Sequence, residues 1–201
     1  MNNNIYQEEI QLPPQNISEL YIKIMKDLPT FKTSEELKNE LFNMKKNSDD
    51  AIEEFRKILL DFTDTVINIT DSALVKRYKD DIIKSINQYP KKIIDTFIIH
   101  GYMENDAQYR KEIIIGNDDF FLGEKYNKYT NGDSSIMNYI SQFKNFWHKL
   151  DNDNKFLIKT FLVTLCHYSD KRFMIFQRYT EIKKMYKNSD ESIFSYFDVE
   201  I

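Results

Sequence analysis

The sequence predicts an all-α fold, a single-domain multi-helix bundle of about eight or nine helices with a long loop at residues 116–135 and extended termini. Three observations predict it. Apolar residues recur at spacings of three and four through most of the chain, which places them on one face of a helix. Only four glycines and four prolines interrupt 201 residues, and three of the glycines fall between Gly116 and Ser135. Alternation of the strand kind is confined to the last residues, with Phe197, Val199 and Ile201 apolar and Asp198 and Glu200 acidic. A chain of this length can bury a core without covalent staples.

The elements follow in order. Ile17 to Lys26 forms a first short helix that ends near Pro29. Thr33-Ser34-Glu35-Glu36 reads as a capping box, the Thr33 hydroxyl accepting from the helix start while Glu36 reaches back, and opens a second helix to about Lys46. Ile52, Phe55, Leu59, Phe62, Val66 and Ile69 then mark one seam of a long third helix. Fewer than three full heptads are present, so the seam suits a bundle within the chain better than a coiled coil between chains. A fourth helix runs from about Ser72 to Asn87. Pro90 fits the first position of a fifth, which carries Ile93, Ile94, Phe97 and Ile98 and is weakened or ended at Gly101.

Residues Asn105 to Gln108 can cap a sixth helix up to Ile115, although Glu112 to Ile115 also reads as a strand. Asp133 caps a seventh, with Ile136, Tyr139, Ile140, Phe143, Phe146 and Trp147. Phe156 to Tyr168 is apolar on nearly every side and should be the central, most buried helix. Lys171 to Lys187 makes a ninth, with Ile175, Tyr179, Ile182 and Tyr186 on one stripe. The resulting organisation is an extended arm at 1–15, a helical domain at 16–187 and an extended acidic and aromatic tail at 188–201.

Composition bounds the function. The net charge of −4, with signs interspersed, supplies no global attraction to nucleic acid. The single cysteine, Cys166, excludes an intrachain disulfide and sits in an apolar run, which suits a reducing, intracellular setting. The opening MNNNIYQEEIQLPPQ lacks a signal-peptide pattern, and no apolar run approaches the roughly 20 residues that span a bilayer. Lysine outnumbers arginine 23 to 5 and alanine occurs three times, a usage that an A+T-rich genome produces.

Tests for local chemistry fail in turn. A calcium loop begun at Asn117 falls out of step, and one begun at Asp151 has Phe156 where glycine is needed and Leu162 where the bidentate glutamate belongs. Asp151 and Asp153 are better explained as helix caps. His100, His148 and His167 share no zinc-ligand spacing. Cys166 and His167 are neighbours whose side chains diverge by about 100 degrees on a helix, too far apart to activate a thiolate. No phosphate loop, dinucleotide fingerprint or nucleophile elbow is present. The expectation is therefore no catalytic residue, no metal and no cofactor.

Two kinds of contact surface remain. Phe120, Phe121 and Leu122 form an apolar anchor within the 116–135 loop, followed by polar residues with Tyr126 and Tyr129. In the tail, Phe194, Tyr196, Phe197, Val199 and Ile201 are apolar or aromatic, alternating with acids from Phe197 on, and suit addition to a partner's sheet edge; the opposite reading folds the tail back onto the chain's own last helix. Phe120, Phe121, Tyr126 and Tyr129 of the loop, with these five tail residues, are the candidate partner-binding set. Nucleic-acid binding is the alternative, through Lys171, Arg172, Arg178, Lys183, Lys184 and Lys187 interleaved with aromatics. On a helical wheel those charges flank both sides of the apolar stripe, as lysine stems do around a buried face.

Tyr89-Pro90 before an apolar helix, then Asn117-Asp118-Asp119-Phe120-Phe121-Leu122, then Phe146-Trp147, Leu150, Asn154-Lys155 and Ile158 to Leu165, resembles uncharacterised helical proteins of large DNA viruses infecting protists, over roughly residues 85–170. Thr160 and Phe161 stand where those proteins tend to carry Trp and Tyr. The resemblance implies a viral origin, in agreement with the codon usage, and transfers no active-site residue. The expected role is a non-enzymatic structural or protein-interaction component, placed in the virion or the host cytoplasm, binding viral or host proteins or a further copy of itself.

Overall fold

The computed structural model describes residues 16–70, 73–103, 107–118, 145–186, 193–194 and 201. Among them are six α-helices and a π-helical segment: α1 (Ile17–Lys26), α2 (Ser34–Thr70), α3 (Ala73–Gln88), α4 (Pro90–Ile98), the π segment (Ile99–Met103), α5 (Gln108–Ile115) and α6 (Asn152–Met185). Residues 145–149 are also helical, and no strand occurs among the described residues. The fold is all-α, as the periodicity predicts, but the described residues hold fewer helices than eight or nine.

The count falls because two predicted breaks are absent. The second and third expected helices are one 37-residue helix, α2, about 55 Å long at 1.5 Å per residue. The eighth and ninth are one 34-residue helix, α6. Asn47-Ser48-Asp49-Asp50 and Ser169-Asp170 look like connectors, yet these residue types lower helix propensity by only a few tenths of a kcal/mol each, and neither helix contains a glycine or proline. Lys45 bridges Asp49 at 3.0 Å across the first apparent break.

Local capping follows the predicted chemistry. Glu36 N–H donates to the Thr33 hydroxyl at 3.2 Å, and a Glu36 carboxylate oxygen accepts from the backbone of Lys32 at 2.8 Å and of Thr33 at 3.4 Å. Asp151 caps α6 by accepting from Asn154 N–H at 2.8 Å. Pro90 occupies the first turn of α4. Glu112 to Ile115 is helical rather than extended, and Gly116 ends α5 in the left-handed region at φ 70°, where a Cβ is disfavoured.

Helices α2 and α6 are the spine and run antiparallel, as their cross-contacts show. Leu41 shares a core cluster with Ile182, Phe55 shares one with Leu165 and Phe173, and the Phe62 and Phe161 rings lie 5.7 Å apart. α3 and α4 pack on α2, whereas α1 and α5 pack on α6. The predicted seam is used inside the chain: Phe55 is buried, and Ile52 and Leu59 pack against the same cluster. Trp147 is buried, as expected of a central residue. Burial of α6 begins only at Ile158, because Phe156 is 72% exposed and Leu157 40%, so its first turn lies at the surface.

The core has two parts. Leu37, Leu41, Met44, Tyr179, Ile182, Ile193 and Phe194 form one, at the start of α2 and the end of α6. Phe55, Ile94, Ile98, Tyr102, Leu165 and Phe173 form the other, which α4 and the π segment complete. Ile193 and Phe194 thus belong to the fold. The tail is not wholly an extended arm, and the fold-back reading describes these two residues.

Candidate functional site: a buried polar centre on helix α6

Asp170 and Arg172 stand two residues apart near the middle of α6, which turns them about 200° from one another. Each meets a partner of opposite charge on a different side of the helix. Arg172 is fully buried; its Nε donates to Asp95 Oδ1 at 2.6 Å and its Nη2 to Asp95 Oδ2 at 3.1 Å, while Nη1 donates to the Ser48 hydroxyl. α6 is thereby tied to α4 and α2 at once. Lys91, one turn before Asp95, adds a second cation at 3.2 Å.

On the other side, Arg110 of α5 is 1% exposed and makes the same fork: Nε to Asp170 Oδ1 and Nη2 to Asp170 Oδ2, both at 2.7 Å. Tyr102, from the π segment, places its hydroxyl 2.5 Å from Asp170 Oδ1 and 2.9 Å from the Cys166 carbonyl. Its ring also lies beneath the Arg110 guanidinium at 5.5 Å. The π segment widens the backbone where α4 would otherwise continue, and Gly101 and Tyr102 within it are buried.

The electrostatics follow from this burial. Burial above all, with the Asp170 carboxylate beside it, pushes the Tyr102 phenol well above its ordinary value. Burial opposes the Arg110 charge, but the Asp170 hydrogen bonds outweigh it and raise the Arg110 pKa. Burial likewise pushes the Cys166 thiol upward, so it stays protonated and unreactive. His167 is lowered by partial burial and by Lys171 nearby.

Chemically, the arrangement clamps. Arg110, Asp170, Arg172 and Asp95 each bind an opposite charge in a desolvated interior, and breaking such a pair leaves an uncompensated charge. The four residues join α2, α4, α5 and the π segment to one stretch of α6. Among the described residues no group of three or more His, Cys, Asp or Glu side chains could hold a metal ion. No described helix is long and apolar enough to cross a membrane.

Of the candidate partner-binding residues, Phe120, Phe121, Tyr126, Tyr129, Tyr196, Phe197 and Val199 lie outside the described residues. Phe194 is a correction: at 5% exposure, its ring 6.1 Å from that of Tyr179, it is core and not free surface. Ile201 packs, partly buried, against the second cluster. The basic set is dispersed. Arg172 is withdrawn from it by burial, because its guanidinium faces Asp95 and Ser48 where no phosphate reaches.

Arg178 pairs with Glu40 at 2.8 Å and Lys184 with Glu181 at 2.7 Å. Lys171 and Lys183 lie over the rings of Tyr168 and Tyr179, at 5.0 and 5.6 Å. Lys187 is outside the described residues. Sequence reasoning missed Ser48, Asp95, Tyr102, Arg110 and Asp170. Compared with protein-family models, curated proteins and solved structures, the chain gives no match.

Proposed function

We propose that this chain is a non-enzymatic interaction protein that binds other proteins through surface apolar side chains, as a minor component of a virus particle. The observation that supports it is the contrast between interior and surface. The buried Arg110, Asp170, Arg172 and Asp95 are engaged with one another. Large apolar side chains meanwhile stand exposed in adjacent groups: Phe156 with Leu157 where α6 begins, and Ile22 with Met25 on α1. Single exposed apolar residues are ordinary, but groups of them mark contact surfaces. The resemblance to helical proteins of large DNA viruses and the A+T-rich residue usage support the viral part.

Mass spectrometry of purified particles tests it. The chain should be recovered at a fixed ratio to one other particle protein, and replacing Phe156 and Leu157 with serine should lower that ratio without moving the thermal midpoint. Abundance in infected-cell cytoplasm with absence from particles would overturn the virion role. An unchanged ratio in the serine variant would overturn the surface.

A further inference from the structure

Helix α1 has two apolar faces and its own chain covers one of them. On the inner face Leu20 and Ile24 are buried, Ile17 packs on the second core cluster, and Tyr21 meets the Phe173 ring edge-on at 5.7 Å. On the outer flank Ile22 is 67% exposed and Met25 55%. At 100° per residue these two side chains lie about 60° apart, with Ile22 about 160° from both Leu20 and Ile24, and Met25 next to Tyr21 at the edge of the inner face. With Ser18 before them, they fall on spacings of four and three within the helix, the seam along which two helices pack.

The flanking residues fix the direction of that packing. Glu19 and Lys26 border the seam on its solvent side, both exposed, while Tyr21 borders it on the side of the chain's own core. In an antiparallel pair of identical seams, Ile22 layers against Met25 of the second copy. Same-flank positions then face each other, so Glu19 meets Lys26 of the second copy and Lys26 meets its Glu19. Two opposite-charge contacts form by symmetry. A parallel pair would give Glu19 and Lys26 no opposite charge to face.

We propose that α1 is a self-association helix, pairing two copies of the chain antiparallel through Ile22 and Met25 with Glu19 against Lys26 on the outer edge. The occupant is a second copy because the flank is complementary in charge to itself under a two-fold axis. A ten-residue helix offers less than the roughly 1,200 Å² of a stable interface, so the dimer is weak, with a Kd on the order of 10 to 1,000 µM. The proposal shares with the proposed function only the idea that the chain works through contacts. Its readout is independent of particle composition, so either can fail alone.

Sedimentation velocity of the full chain from about 10 µM to 1 mM at low salt tests it, the range being set by the expected affinity. The weight-average mass should rise toward that of a dimer, and Ile22→Glu should hold the chain monomeric. Glu19→Lys and Lys26→Glu should each weaken association roughly three- to tenfold, and the two together should restore it, since each swap alone sets like charges against each other. A monomer at every concentration would overturn the proposal. So would a double swap as weak as either single one. Loss of thermal midpoint on Ile22→Glu in dilute protein would mean that the chain itself covers this flank, which also overturns it.

Discussion

Ser48 on α2 accepts a hydrogen bond from Nη1 of Arg172 on α6, across 124 residues of sequence, and both side chains are buried. The contact joins the places where the two long helices carry their most polar interior sequence. It lies along the α2–α6 spine between Met44 of the first core cluster and Phe55 of the second. The two apolar cores are therefore held in register by a polar contact rather than by one continuous apolar seam.

The first prediction concerns the charge beside it. Asp95→Ala strands the Arg172 guanidinium in the interior and should cost about 3 to 5 kcal/mol, the range for one-sided removal of a buried pair. Replacing both partners, Asp95→Leu with Arg172→Met, should recover most of that loss, because an apolar pair of similar volume removes the unpaired charge. Urea unfolding midpoints decide it: a single variant within 1 kcal/mol of the parent would show that the pair is not structural.

The two long helices also carry two buried serines with opposite expected behaviour. Ser48→Ala deprives Arg172 of an acceptor and should destabilise by about 1 to 3 kcal/mol. Ser169 is equally buried, but the described residues offer its hydroxyl no hydrogen-bond partner, so Ser169→Ala should be neutral or raise stability by up to about 1 kcal/mol. Equal losses in the two variants, by thermal or urea unfolding, would contradict the network.

Much of the fold is legible because helical periodicity, capping boxes and proline positions act locally. The Thr33 and Glu36 cap, Pro90 and the Asp151 cap stand as read. What fails is also physical: Ser48 and Asp170 look like connector residues, and only tertiary contact reveals that Arg172 and Arg110 reach them. The misplaced helix breaks and the missed polar centre are one error. A compositional signal for it existed.

In a chain with 23 lysines, five arginines mark positions where a planar fork is needed in place of a point charge. The four with described side chains, Arg56, Arg110, Arg172 and Arg178, all grip a carboxylate. The alternation from Phe197 to Glu200 lies outside the described residues, while Ile201 packs against the second cluster, a docking that local period cannot indicate.

Stability should depend on pH through His167. Its folded pKa lies below the ordinary value of 6.5, so between the two values the unfolded chain binds the extra proton. Stability is then fully present above about 6.5 and falls as pH drops through the lowered folded value. The ring is only partly buried, so the effect is modest and shrinks with salt. The difference between the parent and His167→Gln, followed by urea midpoint from pH 8 to pH 5, should open below about 6.5. A slope unchanged by the substitution would remove His167 as its source.

The tail supplies the last prediction. Phe194 closes the first core cluster: its ring meets Tyr179 at an interplanar angle of 70°, and its carbonyl accepts from the Tyr179 hydroxyl at 3.3 Å. Ile193 beside it is equally buried, and Tyr179 is anchored in turn among Leu37, Leu41 and Ile182. Phe194→Ala should therefore cost roughly 3 to 5 kcal/mol, as removal of a buried aromatic does. Deleting residues 189–201 removes Ile193, Phe194 and Ile201 together and should lower the thermal midpoint further than Phe194→Ala alone. A free arm would instead leave the midpoint untouched. An unchanged midpoint after the deletion would return residues 188–201 to the role of a binding arm and would take Phe194 out of the core.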